Sequence, residues 1–144
     1  MICLDVNVLV YAHREDASRH AEYRSWLESG LNGDELFGVT SLVLTGFVRV
    51  VTHPRVFDPP SPLDVALAFA DEIRGHDNCI PVEPGERHWE LFKALCRKSN
   101  ARGNLVTDAH IAATARESGA VLATTDGDFS RFDGLRRIHP LAEE

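Results

Sequence analysis

No stretch of this chain approaches the ~20 apolar residues that a membrane-spanning helix needs, so none of its 144 residues is expected to enter a membrane. Cysteine is scarce. Cys3, Cys79 and Cys96 are odd in number and lack metal-knuckle spacing, which argues against a disulfide framework and for free thiols in a reducing cytoplasm. The opening Met1-Ile2-Cys3-Leu4-Asp5 has no basic start and meets an acid at its fifth position, unlike a secretory leader. Positive charge is in deficit: 15 Lys and Arg against 22 Asp and Glu leave a net −7. A general nucleic-acid binder usually shows the opposite balance. A metal-dependent nuclease remains compatible, because it gathers its acids in one pocket where bound cations reverse the local field. No glycine-rich phosphate turn follows the first apolar run, no Gly-x-Ser-x-Gly elbow exists, and the seven histidines form no His-x-x-x-His pair. These gaps set aside dinucleotide, serine-hydrolase and zinc-hydrolase chemistry. A dehalogenase-like phosphotransferase would need Asp-x-Asp where the chain has Asp5-Val6-Asn7.

What is present is ordinary in bulk, with 44% hydrophobic and 26% charged residues, enough for one domain spanning 1–144 with a proper core. Strand and helix signals alternate. Short apolar runs at 2–4, 36–40, 79–82 and 120–124 read as strands, with a fifth at 137–139. Helices are expected over 18–31 with Ser18 as cap, from Ser41 to about 53, where Pro54 stops it, and over 61–75 from Ser61-Pro62-Leu63-Asp64. Two more follow at 86–98 and, capped by Thr107, at 107–118. The Pro-rich piece at 57–62 is a rigid loop too short to divide domains. The alternation predicts a three-layer α/β/α arrangement around a mostly parallel sheet of four to five strands.

Two acids then fall at strand ends. Asp5 closes the first run, and Asp126 follows Val121-Leu122-Ala123-Thr124-Thr125. Open α/β sheets bind ligands at the carboxyl ends of their strands, so both carboxylates reach one edge. Asp108 opens the helix leading into the fourth strand and can point into the same crevice, with Asp128 close behind Asp126. Each alone reads first as a turn or helix-start residue. Together they cannot all stay charged without counter-ions, and hard carboxylate oxygens suit Mg²⁺ or Mn²⁺. Basic residues cluster at Arg49, His53 and Arg55, at Arg97, Lys98 and Arg102, and at Arg131, Arg136 and Arg137; any single cluster reads first as solvated surface.

Asp5-Val6-Asn7-Val8-Leu9-Val10-Tyr11-Ala12, then Asn104-Leu105-Val106-Thr107-Asp108-Ala109-His110-Ile111-Ala112-Ala113, then Gly119-Ala120-Val121-Leu122-Ala123-Thr124-Thr125-Asp126-Gly127-Asp128-Phe129 resemble, in order and spacing, the motifs of PIN-domain toxins of the VapC family. Arg131-Phe132-Asp133-Gly134-Leu135 resembles their tail, so the likeness covers essentially the whole chain. The resemblance implies an α/β/α sandwich and a toxin endoribonuclease cutting structured RNA such as tRNA or rRNA. It also implies silencing by a VapB-type antitoxin and toxin homodimers. One departure stands out: the family places a Glu early in the helix after the second strand, and Gly46 holds the matching position. A helix-interior Gly costs roughly 1 kcal/mol relative to Ala. It therefore marks either a close backbone approach or a metal site one ligand short, with Asp128 the nearest substitute.

The expected mechanism is metal-assisted phosphodiester hydrolysis, with Asp5, Asp108 and Asp126 as catalytic metal ligands and Asp128 as a fourth. Asn7 and Thr124 would orient ligands or water, although Asn7 serves equally as a helix cap. Arg49, one turn from Gly46, either meets phosphate or makes a surface ion pair. A rival reading is a PIN-like module with weakened catalysis that binds RNA or a protein partner.

Overall fold

The structure, a computed structural model, describes residues 1–142. Five parallel strands build one sheet in the order β3-β2-β1-β4-β5: β1 (Ile2–Leu4), β2 (Phe37–Val39), β3 (Cys79–Pro81), β4 (Val121–Ala123) and β5 (Arg137–Ile138). β1 and β4 sit in the middle, with Leu4 opposite Ala123. Burial on both faces explains why these strands read as unbroken apolar runs.

From β1 the chain winds outward through α1 (Val6–His13) and α2 (His20–Leu31) to β2, then through α3 (Ser41–Val51) and α4 (Leu63–Arg74) to β3. It then returns through α5 (His88–Ser99) and α6 (Asn104–Glu117) to β4 on the far side of β1. Right-handed crossovers put α1–α4 on one face and α5–α6 on the other. The helix packing agrees: α1 meets α2 and α3, α3 meets α4, and α5 meets α6. Winding therefore reverses between β1 and β4, and such a switch point opens a crevice at the strands' carboxyl ends.

The core between the layers is aliphatic and aromatic, with Leu4, Leu9, Phe37, Phe47, Leu122 and Phe129 almost wholly buried. Cys3, Cys79 and Cys96 are free thiols, and burial raises the Cys3 pKa to about 11, which keeps it protonated and inert. Among the described residues no helix is long and apolar enough to cross a membrane.

Several helix starts differ from the sequence expectation. Beyond the reading of Asn7 as a cap, helix α1 is not anticipated, because Val6, Val8, Leu9 and Val10 extend the apolar run of β1. Asp5 breaks the run: its extended backbone and its Oδ1, accepting from Val6 N at 2.8 Å, turn the strand into a helix. Helix α2 starts at His20 after Arg19 in the left-handed region, without a Ser18 cap. Helix α6 starts three residues before Thr107, after Gly103 at φ 56°, a conformation that favours glycine. For α3 the cap is Thr40, whose Oγ1 accepts from Val43 N at 3.0 Å. Ser41 instead donates through its N and Oγ to Glu83 at 2.8 and 3.0 Å on the surface.

That difference is measurable. Thr40→Ala removes a buried cap and should lower stability by about 1 kcal/mol. Ser41→Ala, losing an exposed contact to a carboxylate, should cost less than about 0.5 kcal/mol. Urea unfolding of both variants checks the order; equal losses would assign the cap wrongly.

Candidate active site

The crevice at the switch point is a cavity of about 430 Å³. Asp5 reaches it from the end of β1, Asp126 from just beyond β4, and Asp108 from the second turn of α6. Acids from the two ends of the sequence thus line one cavity. Leu42, Thr45, Gly46 and Arg49 line it from α3, and Asn104, Thr107, Asp108 and Ile111 from α6. Each set follows the i, i+3, i+4, i+7 spacing of a single helix face. That periodicity, run through Asp108, was the signal that could have added Asn104 and Thr107 to the expected residues. His110 faces away, with its ring 4.4 Å from that of His88.

Thr124 does not line the cavity but organises it. Its Oγ1 donates to Asp5 Oδ2 at 2.7 Å and accepts from Asp126 N at 3.0 Å, tying the ends of two strands together. Asn7 lines the cavity from the first turn of α1; the cap of that helix is Asp5. Arg49 is exposed, lines the cavity, and makes no ion pair among the described residues, contrary to the surface-pair reading. Asp128 lies outside the lining. It is exposed on the 3-10 turn Gly127–Arg131, and its N donates to Asp126 Oδ1 at 2.8 Å.

Negative charge is crowded here. Burial pushes the Asp5 carboxyl above its usual range, opposed by the Thr124 hydroxyl and the Val6 amide and reinforced by Asp126. Asp108 rises from 3.8 to about 6, first through burial and then through the charges of Asp5, Asp126 and Asp128, and no donor relieves it. Apolar walls and like charges both disfavour ionisation, and a cation answers both. The donors available are oxygens from carboxylates, hydroxyls and amides, the set a hard divalent ion prefers. Among the described residues no three acidic, imidazole or thiolate groups are already gathered into metal-binding geometry. A cation held here would therefore keep part of its water shell, which suits Mg²⁺, and the cavity has space for roughly a dozen waters at about 30 Å³ each.

Gly46 combines the two meanings left open by its position. It lines the cavity, and a Cβ there would stand 3.0 Å from Val6 Cγ2. Its absence lets α3 approach the first residue of α1, the same residue whose amide holds Asp5.

The PIN domain family matches residues 2–135. Ribonuclease VapC43 of Mycobacterium tuberculosis is 48% identical over 142 residues, covering 98% of this chain and 96% of that protein. Among solved structures, VapBC2 of Rickettsia felis bound to a promoter DNA fragment superposes with a TM-score of 0.67 at 23% identity, covering 96% of this chain and 98% of that one. VapC20 of Mycobacterium tuberculosis, a toxin cleaving the sarcin–ricin loop, gives 0.66 at 18% identity over 94% of this chain and 99% of its own. The match across nearly the whole length makes this a PIN-domain protein, and the chain belongs to the VapC family.

Two measurements test the site's electrostatics and packing. Because the native Asp108 pKa lies above its unfolded value, the folded chain holds more protons than the unfolded one between about pH 4 and 6. Stability in chelator should therefore fall as pH rises through that window. Asp108 is only partly buried, so its share is on the order of 1–2 kcal/mol after solvent screening. Asp108→Asn should be more stable than the parent at pH 7, with a shallower but persisting decline, since Asp5 contributes the same sign. An unchanged pH profile would remove Asp108 from the charge cluster. For Gly46, Ala gains up to about 1 kcal/mol in helix propensity but meets Val6, at an overpacking cost of about 1–3 kcal/mol. Gly46→Ala should thus destabilise the parent by about 1 kcal/mol yet stabilise a Val6→Ala background, as read by urea titration of the four proteins. Stabilisation of the parent by Ala would show that α1 and α3 have room to spare.

Proposed function

We propose that the chain is a cytoplasmic endoribonuclease toxin hydrolysing phosphodiester bonds of structured RNA with Mg²⁺ or Mn²⁺. The observation that carries this reading is the convergence of Asp5, Asp108 and Asp126 on one cavity, with the Asp108 pKa driven to about 6. The relative at 48% identity is named a ribonuclease, which supports the same reading. Asp5, Asp108 and Asp126 would hold the cation, which when bound supplies a lowered water pKa and charge neutralisation at the phosphate.

The rest falls to the chain's own side chains. Thr124 fixes Asp5 so that its charge faces the cavity, and the same hydroxyl fixes the backbone of Asp126. Arg49, which lines the same cavity and makes no ion pair among the described residues, places its guanidinium against a non-bridging phosphate oxygen. Asn7 and Thr107 add an amide and a hydroxyl that orient water or ribose. Apolar Val6, Leu42, Val50 and Ile111 keep the cavity low in dielectric, which strengthens these contacts. The substrate class, tRNA or rRNA, the VapB-type antitoxin and a toxin homodimer belong to this proposal. The antitoxin draws support from the fold-level likeness to VapBC2.

Asp5→Asn tests the reading while keeping an N-cap oxygen. Incubation of parent and variant with total RNA, with Mn²⁺ or chelator, followed by mapping of new 5′ ends, should show cation-dependent cuts by the parent. The variant should lose at least about 100-fold in rate, the scale of removing one preorganised electrostatic group. Equal cutting would discard the metal-site assignment. RNA binding without cutting by the parent would favour the weakened-module reading, in which Gly46 marks the missing ligand.

A further inference from the structure

Two basic clusters that lie far apart in the sequence each contribute an arginine to one cleft. Ser99 and Asn100 at the end of α5, Arg102 in the following loop, Asn104 at the start of α6, and Arg131 at the end of the 3-10 turn line a cleft of about 450 Å³. Asn104 lines this cleft and the acidic cavity alike, so the two are contiguous. Both arginines are exposed. Arg102 makes no ion pair among the described residues, and Arg131 has only a loose one, with Nε 3.8 Å from Asp128 Oδ1. Lys98, the nearest further cation in sequence, is occupied by Asp133.

On a chain of net charge −7, two available guanidiniums beside a cavity of carboxylates form a sharp local contrast. A polyanion steered by such a field lies over the arginines, with only its reacting phosphate entering among the acids. The remaining lining supplies a hydroxyl and two carboxamides, groups that meet phosphate and ribose oxygens, together with Leu105 and the Asp128 carboxylate beside Arg131, and no aromatic ring on which a base would stack.

Resting on the ribonuclease reading, we propose that this cleft is a phosphate subsite for the single-stranded RNA backbone next to the scissile bond. Arg102 and Arg131 bind non-bridging oxygens, and Asn104 bridges the subsite and the reaction centre. Asp128 pairs only loosely with Arg131 and leaves its guanidinium free to meet phosphate. The subsite offers two guanidiniums to the backbone and no aromatic platform for a base, so its contacts are chiefly to phosphate.

The test is fluorescence anisotropy of a labelled mixed-sequence single-stranded RNA on the full-length Asp5→Asn protein, across a series of KCl concentrations. Arg102→Gln and Arg131→Gln, each added to that background, should weaken binding several-fold and lower the slope of log K against log salt by about 0.7 apiece, and their combination by about 1.4. Arg87→Gln, an equal loss of charge at the opposite end of α5, should leave the slope unchanged. In the cleaving parent the two cleft substitutions should raise KM with little change in kcat. Unchanged slopes in both cleft variants, or an equal change with Arg87→Gln, would overturn the subsite. A parent that cuts no RNA would overturn the ribonuclease reading instead, and the binding slopes would still report on the cleft. Far-ultraviolet circular dichroism of each variant separates loss of binding from loss of fold.

Discussion

Asp5 must hold a carboxyl group in the interior, 5% exposed, at the meeting of two central strands and two helices. An unpaired charge in that position would be costly. The surroundings answer with the Val6 amide on one oxygen and the Thr124 hydroxyl on the other. Those two bonds set more than Asp5 itself. The first begins α1, whose opening residue then limits what α3 can carry at position 46. The second draws in the segment after β4, placing Asp126 at the same edge. The cavity is thus the space left over once a buried carboxylate has been satisfied, and its shortage of positive charge follows from the same constraint.

Much of this was legible in the sequence because it rests on local signals. Short apolar runs ending in Asp5 and Asp126 gave the strands and their edge, and the alternation with helices gave the parallel sheet. Asp108 could be placed because a helix leading into a central strand must start near the edge where its acids stand. What was illegible depends on competition between neighbours. Val6 to Val10 is apolar enough to continue a strand, and only the capping geometry of Asp5 makes it a helix. Thr40 and Ser41 are adjacent and both able to cap, and the choice is made by Glu83, which engages Ser41 from 42 residues away. Asp128 is two residues from Asp126, yet the 3-10 turn carries it into the neighbouring cleft. No one-dimensional pattern reports that Gly46 touches Val6.

Charge is arranged by position more than by amount. The acids that matter lie at the switch point between β1 and β4, and available guanidiniums flank them from α3 on one side and from the α5–α6 loop and the 3-10 turn on the other. The overall −7 therefore says little about what the crevice edge attracts. Screening confines each charge's influence to about 10 Å at ordinary ionic strength, so an acidic surface elsewhere does not cancel a basic rim.

The hydrogen bond between Thr124 and Asp5 joins residues 119 positions apart. During synthesis the first of these leaves the ribosome long before the second. β4 leads into Thr124 and Asp126 and fills the centre of the sheet beside β1, so a growing chain has neither the pairing nor the third acid until β4 has emerged. The centre comes into being only when β4 has joined β1. A chain that stops short of β4, or one whose β4 is still inside the exit tunnel, carries Asp5 without the partners that complete the cavity.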